Sequence, residues 1–129
     1  MGSRNTVDSD DRLLDIVEAL KRERVAGVTD LAESLDVPKS SVHAHLATLR
    51  DRGYVDQDDG GRYRPGLRFL DVGVVARDSR RIYAEAKPKL DELAAETGEK
   101  AWCVVEEQGK AVLLAKALGD RAIQTDARV

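Results

Sequence analysis

Lys39, Ser40, Ser41, Ala44, Ala47 and Thr48 recur on one side of a single stretch, with His43 among them, and Arg62 and Arg64 follow at a spacing of two. Lysine and arginine donate to phosphate oxygens, while short hydroxyls and methyl-sized side chains let a helix come close to base edges. The chemistry on offer is recognition of a duplex. Lys39, Arg62 and Arg64 would hold phosphates, Ser40, Ser41 and Ala44 would approach bases in the major groove, and His43 and Thr48 complete the facing set. The same stretch also fits an ordinary amphipathic helix with a solvated face, and the two arginines also fit ion pairs with Asp56 and Asp58 across a hairpin.

Catalytic and metal chemistry find little support. Cys103, the single cysteine, sits in an apolar run where free thiols are usually buried and inert, and alone it builds neither a disulfide nor a structural zinc site. His43 and His45 are two apart, so on a helix they point to different sides and are not a metal pair. With no glycine-rich phosphate loop and no acidic dyad in a cleft, the expectation is no enzyme, no catalytic residue, no metal and no cofactor.

The elements that position the recognition residues are legible in order. Residues 1 to 8 lack periodicity and read as a flexible tail. A first helix over 9–23 is expected, capped by Asp8 or Ser9, acidic at Asp10 and Asp11, with Leu13, Ile16, Val17 and Leu20 as its apolar stripe. The segment 25–28 reads as a short strand or an extended connector beside the wing. Thr29 is the expected cap of a second helix facing inward through Leu31, Ala32 and Leu35, and Asp36, Val37 and Pro38 must then turn. Pro38 and Gly53 bracket the next helix, with Pro38 in its first turn and Val42, Leu46 and Leu49 on its inner stripe. His45, at the border of that stripe, reads as packed and hydrogen-bonded. The period then drops to two in the runs 54–58 and 62–64 around an Asp-Gly-Gly turn, a hairpin or wing.

Taken together, TDLAESLDVPKSSVHAHLATLRDRGYV followed by GRYRPGLRFLDVG resembles the DNA-binding domain of the IclR family of bacterial and archaeal transcription regulators. The residues that carry the resemblance are Lys39, Ser40, Ser41, Val42 and His43, then Leu46, Leu49, Gly53, Tyr54 and Val55, then Tyr63, Gly66 and Gly73. Two positions depart from it: Ala44 stands where family members usually carry arginine, and His45 where they carry an apolar residue. The resemblance implies double-stranded operator DNA as partner, a homodimer or higher oligomer, and a linker helix from Gly66 whose Leu67, Phe69, Leu70 and Val74 contribute dimer contacts. It also implies a small-molecule effector for the complete protein, with the pocket largely absent here.

Beyond a charged break at 77–81, an amphipathic helix is expected over 82–97, with Tyr83, Ala86, Leu90, Leu93 and Ala94 on one side and Gly98 as its stop. Pro88 would kink that helix or mark its first turn. Two strands, 101–106 and 110–117, flank a Glu-Gln-Gly turn, and 119–129 read as disordered or extended. This half resembles the start of the family's effector-binding domain, an α/β sensor of GAF-like type. The expected fold class is thus α+β: a winged helix-turn-helix DNA-binding domain over 9–65, a linker helix over 66–81, and an incomplete effector-domain segment over 82–129.

Composition bounds these expectations. A chain of 129 residues has room for one ordinary domain, or for a small one plus an incomplete partner. No apolar run approaches a membrane span and no signal-peptide core is present, so a soluble, cytoplasmic protein without membrane contact is expected. A formal charge of −3 runs against nucleic-acid binding, though a local basic patch can sit on an acidic body. Arginine exceeds lysine two to one and aspartate exceeds glutamate, a bias that fits a salt-adapted organism. The competing function is a winged-helix module for protein–protein interaction without duplex DNA binding.

Overall fold

The computed structural model describes residues 5 to 123. Its elements run α1 (Asp8–Glu23), α2 (Val28–Leu35), α3 (Lys39–Asp51), β1 (Val55–Gln57), β2 (Tyr63–Pro65), α4 (Arg68–Asp78), α5 (Arg81–Thr97), β3 (Lys100–Glu107) and β4 (Lys110–Leu118). They gather into two compact units that divide between Val72 and Gly73, within α4.

The first unit has a single apolar core. Ile16 and Leu20 of α1, Leu31 of α2, Val42 and Leu46 of α3 and Val55 of β1 are its largest fully buried side chains. Each such burial stabilises by about 1.5–3 kcal/mol before conformational entropy is counted. Two helix starts differ from the expected caps. At α1 neither Asp8 nor Ser9 serves; extended Val7 is the N-cap, and its carbonyl accepts from the N–H groups of Asp10 and Asp11 at 3.0 and 3.1 Å. Asp8, assigned to a tail, is already helical, and residues 1 to 4 of that tail lie outside the described residues.

At α2 the cap is Gly27, not Thr29. The cause is tertiary: Ala26 exchanges two main-chain hydrogen bonds with Tyr63, at 2.9 and 2.8 Å, so the extended chain must turn immediately after it. The Asp30 carboxylate accepts from the Gly27 N–H at 3.3 Å, the reciprocal half of a capping box. The bridge at Ala26 also realises the connector expected beside the wing.

Asp36 takes a left-handed conformation, φ 52°, and the turn hands the chain to α3. Pro38 does not enter the first turn of α3; its ψ of 139° makes it the extended N-cap. Gly53, φ 80°, ends the segment as expected. The wing pairs Val55 with Pro65, Asp56 with Arg64 and Gln57 with Tyr63, antiparallel, and buries Val55 and Tyr63 on its inner face. Gly66 then passes so close to the preceding loop that a Cβ there would lie 2.5 Å from the Gly53 carbonyl oxygen, while its N–H donates to Tyr54 O at 2.8 Å.

In the second unit Leu90 and Ala94 of α5 pack on Ala101 of β3 and on Ala115 and Ala117 of β4. Leu93 was expected on that face but is 50% exposed, because the buried line follows Leu90 and Ala94 at i and i+4 and Leu93 falls to its side. Pro88 marks no first turn; it lies inside α5. The β3–β4 turn is narrower than expected, Gln108 and Gly109 with φ of 53° and 75°, a pair of positive angles that suits a two-residue primed turn. The register shifts between Cys103 and Val104.

The segment after β4 has more order than its composition suggests. Gly119 N–H donates to Glu99 O at 2.9 Å and Arg121 N–H to Gly98 O at 2.8 Å, because Gly119 meets the backbone at Ala94 and Gly98 where no larger residue fits. Residues 124 to 129, also expected to lack structure, lie outside the described residues. Among the described residues, no helix is long and apolar enough to cross a membrane.

Candidate nucleic-acid interface

Helix α3 has one committed face and one free face. Val42, Leu46 and Leu49, at i, i+4 and i+7, are 0, 0 and 4% exposed and join the core formed with α1 and α2. That contact fixes the rotation of the helix about its axis, so Lys39, Ser40, His43, Ala44, Ala47 and Thr48 must face outward. All six are exposed, and Ser41 is half-buried at their edge. Lys39 makes no ion pair among the described residues, so its charge is available. The Thr48 hydroxyl donates to Ala44 O at 3.2 Å, which leaves it an acceptor toward any ligand. His45 is half-buried as its border position implies, but its imidazole makes no hydrogen bond among the described residues, so only the packing half of that expectation stands.

The wing arginines are not two free cations side by side. Arg64 Nε lies 3.8 Å from Asp56 Oδ2, directly across the hairpin. Arg62 precedes β2; its backbone N–H donates to Asp58 Oδ1 at 2.9 Å, and its guanidinium reaches away to Val25 O at 3.1 Å. The cross-hairpin alternative thus holds for Arg64, while Arg62 meets Asp58 only through its main chain. An exposed pair such as Arg64 with Asp56 contributes about 0–1 kcal/mol, so a phosphate can displace the carboxylate at small cost.

One set of contacts was not legible from sequence. Arg50 Nη1 donates to Gln57 Oε1 at 2.5 Å, and Gln57 Nε2 donates to Gly61 O at 3.2 Å, tying the end of α3 to the wing. The partners come from different elements and carry no motif; only the packing angle of wing against helix brings them together. A cleft opens there between α3 and the wing.

The expected linker residues separate into two roles. Phe69 turns to Tyr54, ring edge toward ring face at 5.0 Å between centroids. Leu67 and Leu70 point to solvent at 80 and 62% exposure, Val74 is half-buried, and no residue of α4 is buried. Among the described residues no three His, Cys, Asp or Glu side chains gather to hold a metal ion, and Cys103 is half-buried on β3.

Residues 9–59 match the family model of the IclR helix-turn-helix domain. Over 113 residues the chain is 33% identical to the probable HTH-type transcriptional regulator ArcR of Halobacterium salinarum, an alignment covering 88% of this chain and 43% of that protein. It is 38% identical over 89 residues to the glycerol operon regulatory protein of Streptomyces coelicolor, covering 67% of this chain and 35% of the relative. Among solved structures, HmgR of Pseudomonas aeruginosa superposes with a TM-score of 0.76 at 28% identity, over 93% of this chain and 53% of that one. The chain spans about half, or less, of the length of each of these three proteins.

Proposed function

Since the chain belongs to the IclR family through this helix-turn-helix, we propose that it is a sequence-specific, DNA-binding transcriptional regulator and not an enzyme, acting in the cytoplasm as a homodimer on a two-fold operator. The observation that carries this reading is the division of α3: its inner stripe is sealed in the core, while its outer face offers Lys39, Ser40, Ser41, His43, Ala44 and Thr48 to a groove. A helix so fixed can enter the major groove as a rigid reader, and a symmetric dimer presents two of them. Ser40, Ser41 and Ala44 lie closest to base edges in this reading, Lys39 holds a phosphate, and Arg64 and Arg62 reach the backbone only by giving up Asp56 and Val25.

We assign residues 9–65 to the DNA-binding domain and 66–81 to the linker, with Leu67, Leu70 and Val74 toward the partner copy. The apolar outer side of α4 supports that placement. Residues 82–129 open the effector-binding domain in this reading, and a small-molecule effector is the ligand we assign to that domain. The exposed Trp102, Val104 and Leu118 of the hairpin fit a sheet that continues there.

The test is a fluorescence anisotropy titration of the full chain on labelled duplexes taken from upstream of its own gene, at low and at physiological salt, with Lys39→Ala and Ser40→Ala in parallel. Lys39→Ala should weaken binding to every duplex alike and shrink the salt slope by about one, while Ser40→Ala should weaken the preferred duplex selectively. A folded parent with no duplex binding at low salt would refute the proposal and favour a protein-interaction module.

A further inference from the structure

We propose that the cleft between α3 and the wing seats one backbone phosphate of the DNA, and that Arg50, steered by Gln57, is the cation that holds it. This rests on the DNA-binding reading and adds to it a site at the wing-side edge of the outer face of α3. The cleft is lined by His43, Ala47, Arg50, Asp51, Gln57 and Tyr63. His43, Ala47 and Arg50 fall at i, i+4 and i+7 and so form one line along the helix, turned toward the wing, with the small Ala47 leaving room between the two longer side chains. Across from them, Gln57 is in register with Tyr63, which is itself pinned to Ala26 by two main-chain hydrogen bonds, so the far wall is fixed.

The partner of each arginine decides which of them serves. Arg64 faces a carboxylate, and Arg62 reaches a main-chain carbonyl on the far side of the wing. Arg50 is held by the neutral carbonyl of Gln57, whose amide is in turn set by Gly61 O. A guanidinium has five N–H donors, so four remain, and its charge is positioned without being cancelled. Asp51 lines the same cleft but forms no ion pair with Arg50 among the described residues. Gln57 is a positioning residue; Arg50 makes the contact.

The experiment uses the full chain on a fluorescein-labelled duplex that the parent has enriched from a random pool, titrated across salt, with thermal melting followed by circular dichroism. Gln57→Glu gives Arg50 a carboxylate: affinity is expected to fall about tenfold and the salt slope to shrink by about one, with melting unchanged. Gln57→Ala removes the steering and keeps the charge, so affinity falls by less and the slope stays. Arg50→Gln reproduces the slope change and adds nothing on top of Gln57→Glu. Lys87→Ala, on α5 of the second unit and paired there with Asp91, leaves the slope within a few tenths of the parent. The phosphate seat is overturned if Gln57→Glu and Arg50→Gln bind with the parental slope, or if Lys87→Ala shrinks the slope as much as they do. Failure of the parent to enrich any duplex would instead withdraw the DNA-binding reading, and the seat with it.

Discussion

Gly66→Ala separates two effects of opposite sign. In a position an alanine can adopt, replacing glycine stabilises by about 0.4–1 kcal/mol through the unfolded chain. At Gly66 the added Cβ would sit 2.5 Å from Gly53 O and 3.0 Å from the carbonyl carbon of Tyr54, both main-chain atoms that cannot rotate away. The start of α4 must therefore move. The first loss is the 2.8 Å hydrogen bond from Gly66 N–H to Tyr54 O, a net contribution of about 1 kcal/mol. The second is the Tyr54–Phe69 edge contact, about 0.5–1.5 kcal/mol, with residual crowding of about 1–3 kcal/mol. Against an entropic gain below about 1 kcal/mol, the expected outcome is net destabilisation of about 1.5–5 kcal/mol. Gly73 is the control: nothing lies within 4 Å of a Cβ there and it is helical, so Gly73→Ala should stabilise by about 0.5–1 kcal/mol. Trp102, the one tryptophan, belongs to the second unit, so its fluorescence would miss the change. Urea unfolding followed by far-ultraviolet circular dichroism reads both variants, since it reports the helices of both units, and amide exchange at Val42 and Leu46 isolates the first unit for Gly66→Ala. Equal stability of Gly66→Ala and Gly73→Ala would refute the steric reasoning.

Three further outcomes are expected. Leu46→Ala removes a side chain with no exposed surface and should cost about 2–5 kcal/mol of the first unit's stability, abolishing duplex binding at physiological temperature; a loss below about 1 kcal/mol in urea unfolding would contradict the core assignment. Pro88→Ala should stabilise α5 by about 1–2 kcal/mol, because an interior proline leaves the carbonyl four residues earlier without a donor, and slower amide exchange along Leu90 to Ala94 is the check. Glu107→Gln should change stability by less than about 0.5 kcal/mol despite the 2.6 Å separation of Arg80 and Glu107, since both side chains are more than half exposed; a shift beyond about 1 kcal/mol in thermal melting would mark the pair as structural.

Local periodicity and breakers were enough to read the elements of the first unit, because Val42, Leu46 and Leu49 repeat at helical spacing and Asp59, Gly60 and Gly61 interrupt a period of two. Helix starts were less legible. Thr29 has a better capping side chain than Gly27, yet the bridge from Ala26 to Tyr63 decides where the chain can turn, and that bridge joins residues far apart in sequence. Leu93 failed similarly: periodicity locates an apolar stripe to within about one residue, and only the seat of α5 on the hairpin chooses between neighbours.

The outer face of α3 was determined by the sequence alone, since burying Val42, Leu46 and Leu49 forces Lys39, Ser40, Ala44 and Thr48 outward in any fold that makes this helix. Which cations remain available, and which glycine is required, were settled only by tertiary structure. Arg50, Arg62 and Arg64 are alike in sequence but face Gln57, Val25 and Asp56, and Gly66 and Gly73 are alike but face backbone and open space. A residue's type sets what it can donate or how small it is; its partner is set by where other elements pack, and nothing local to the residue encodes that.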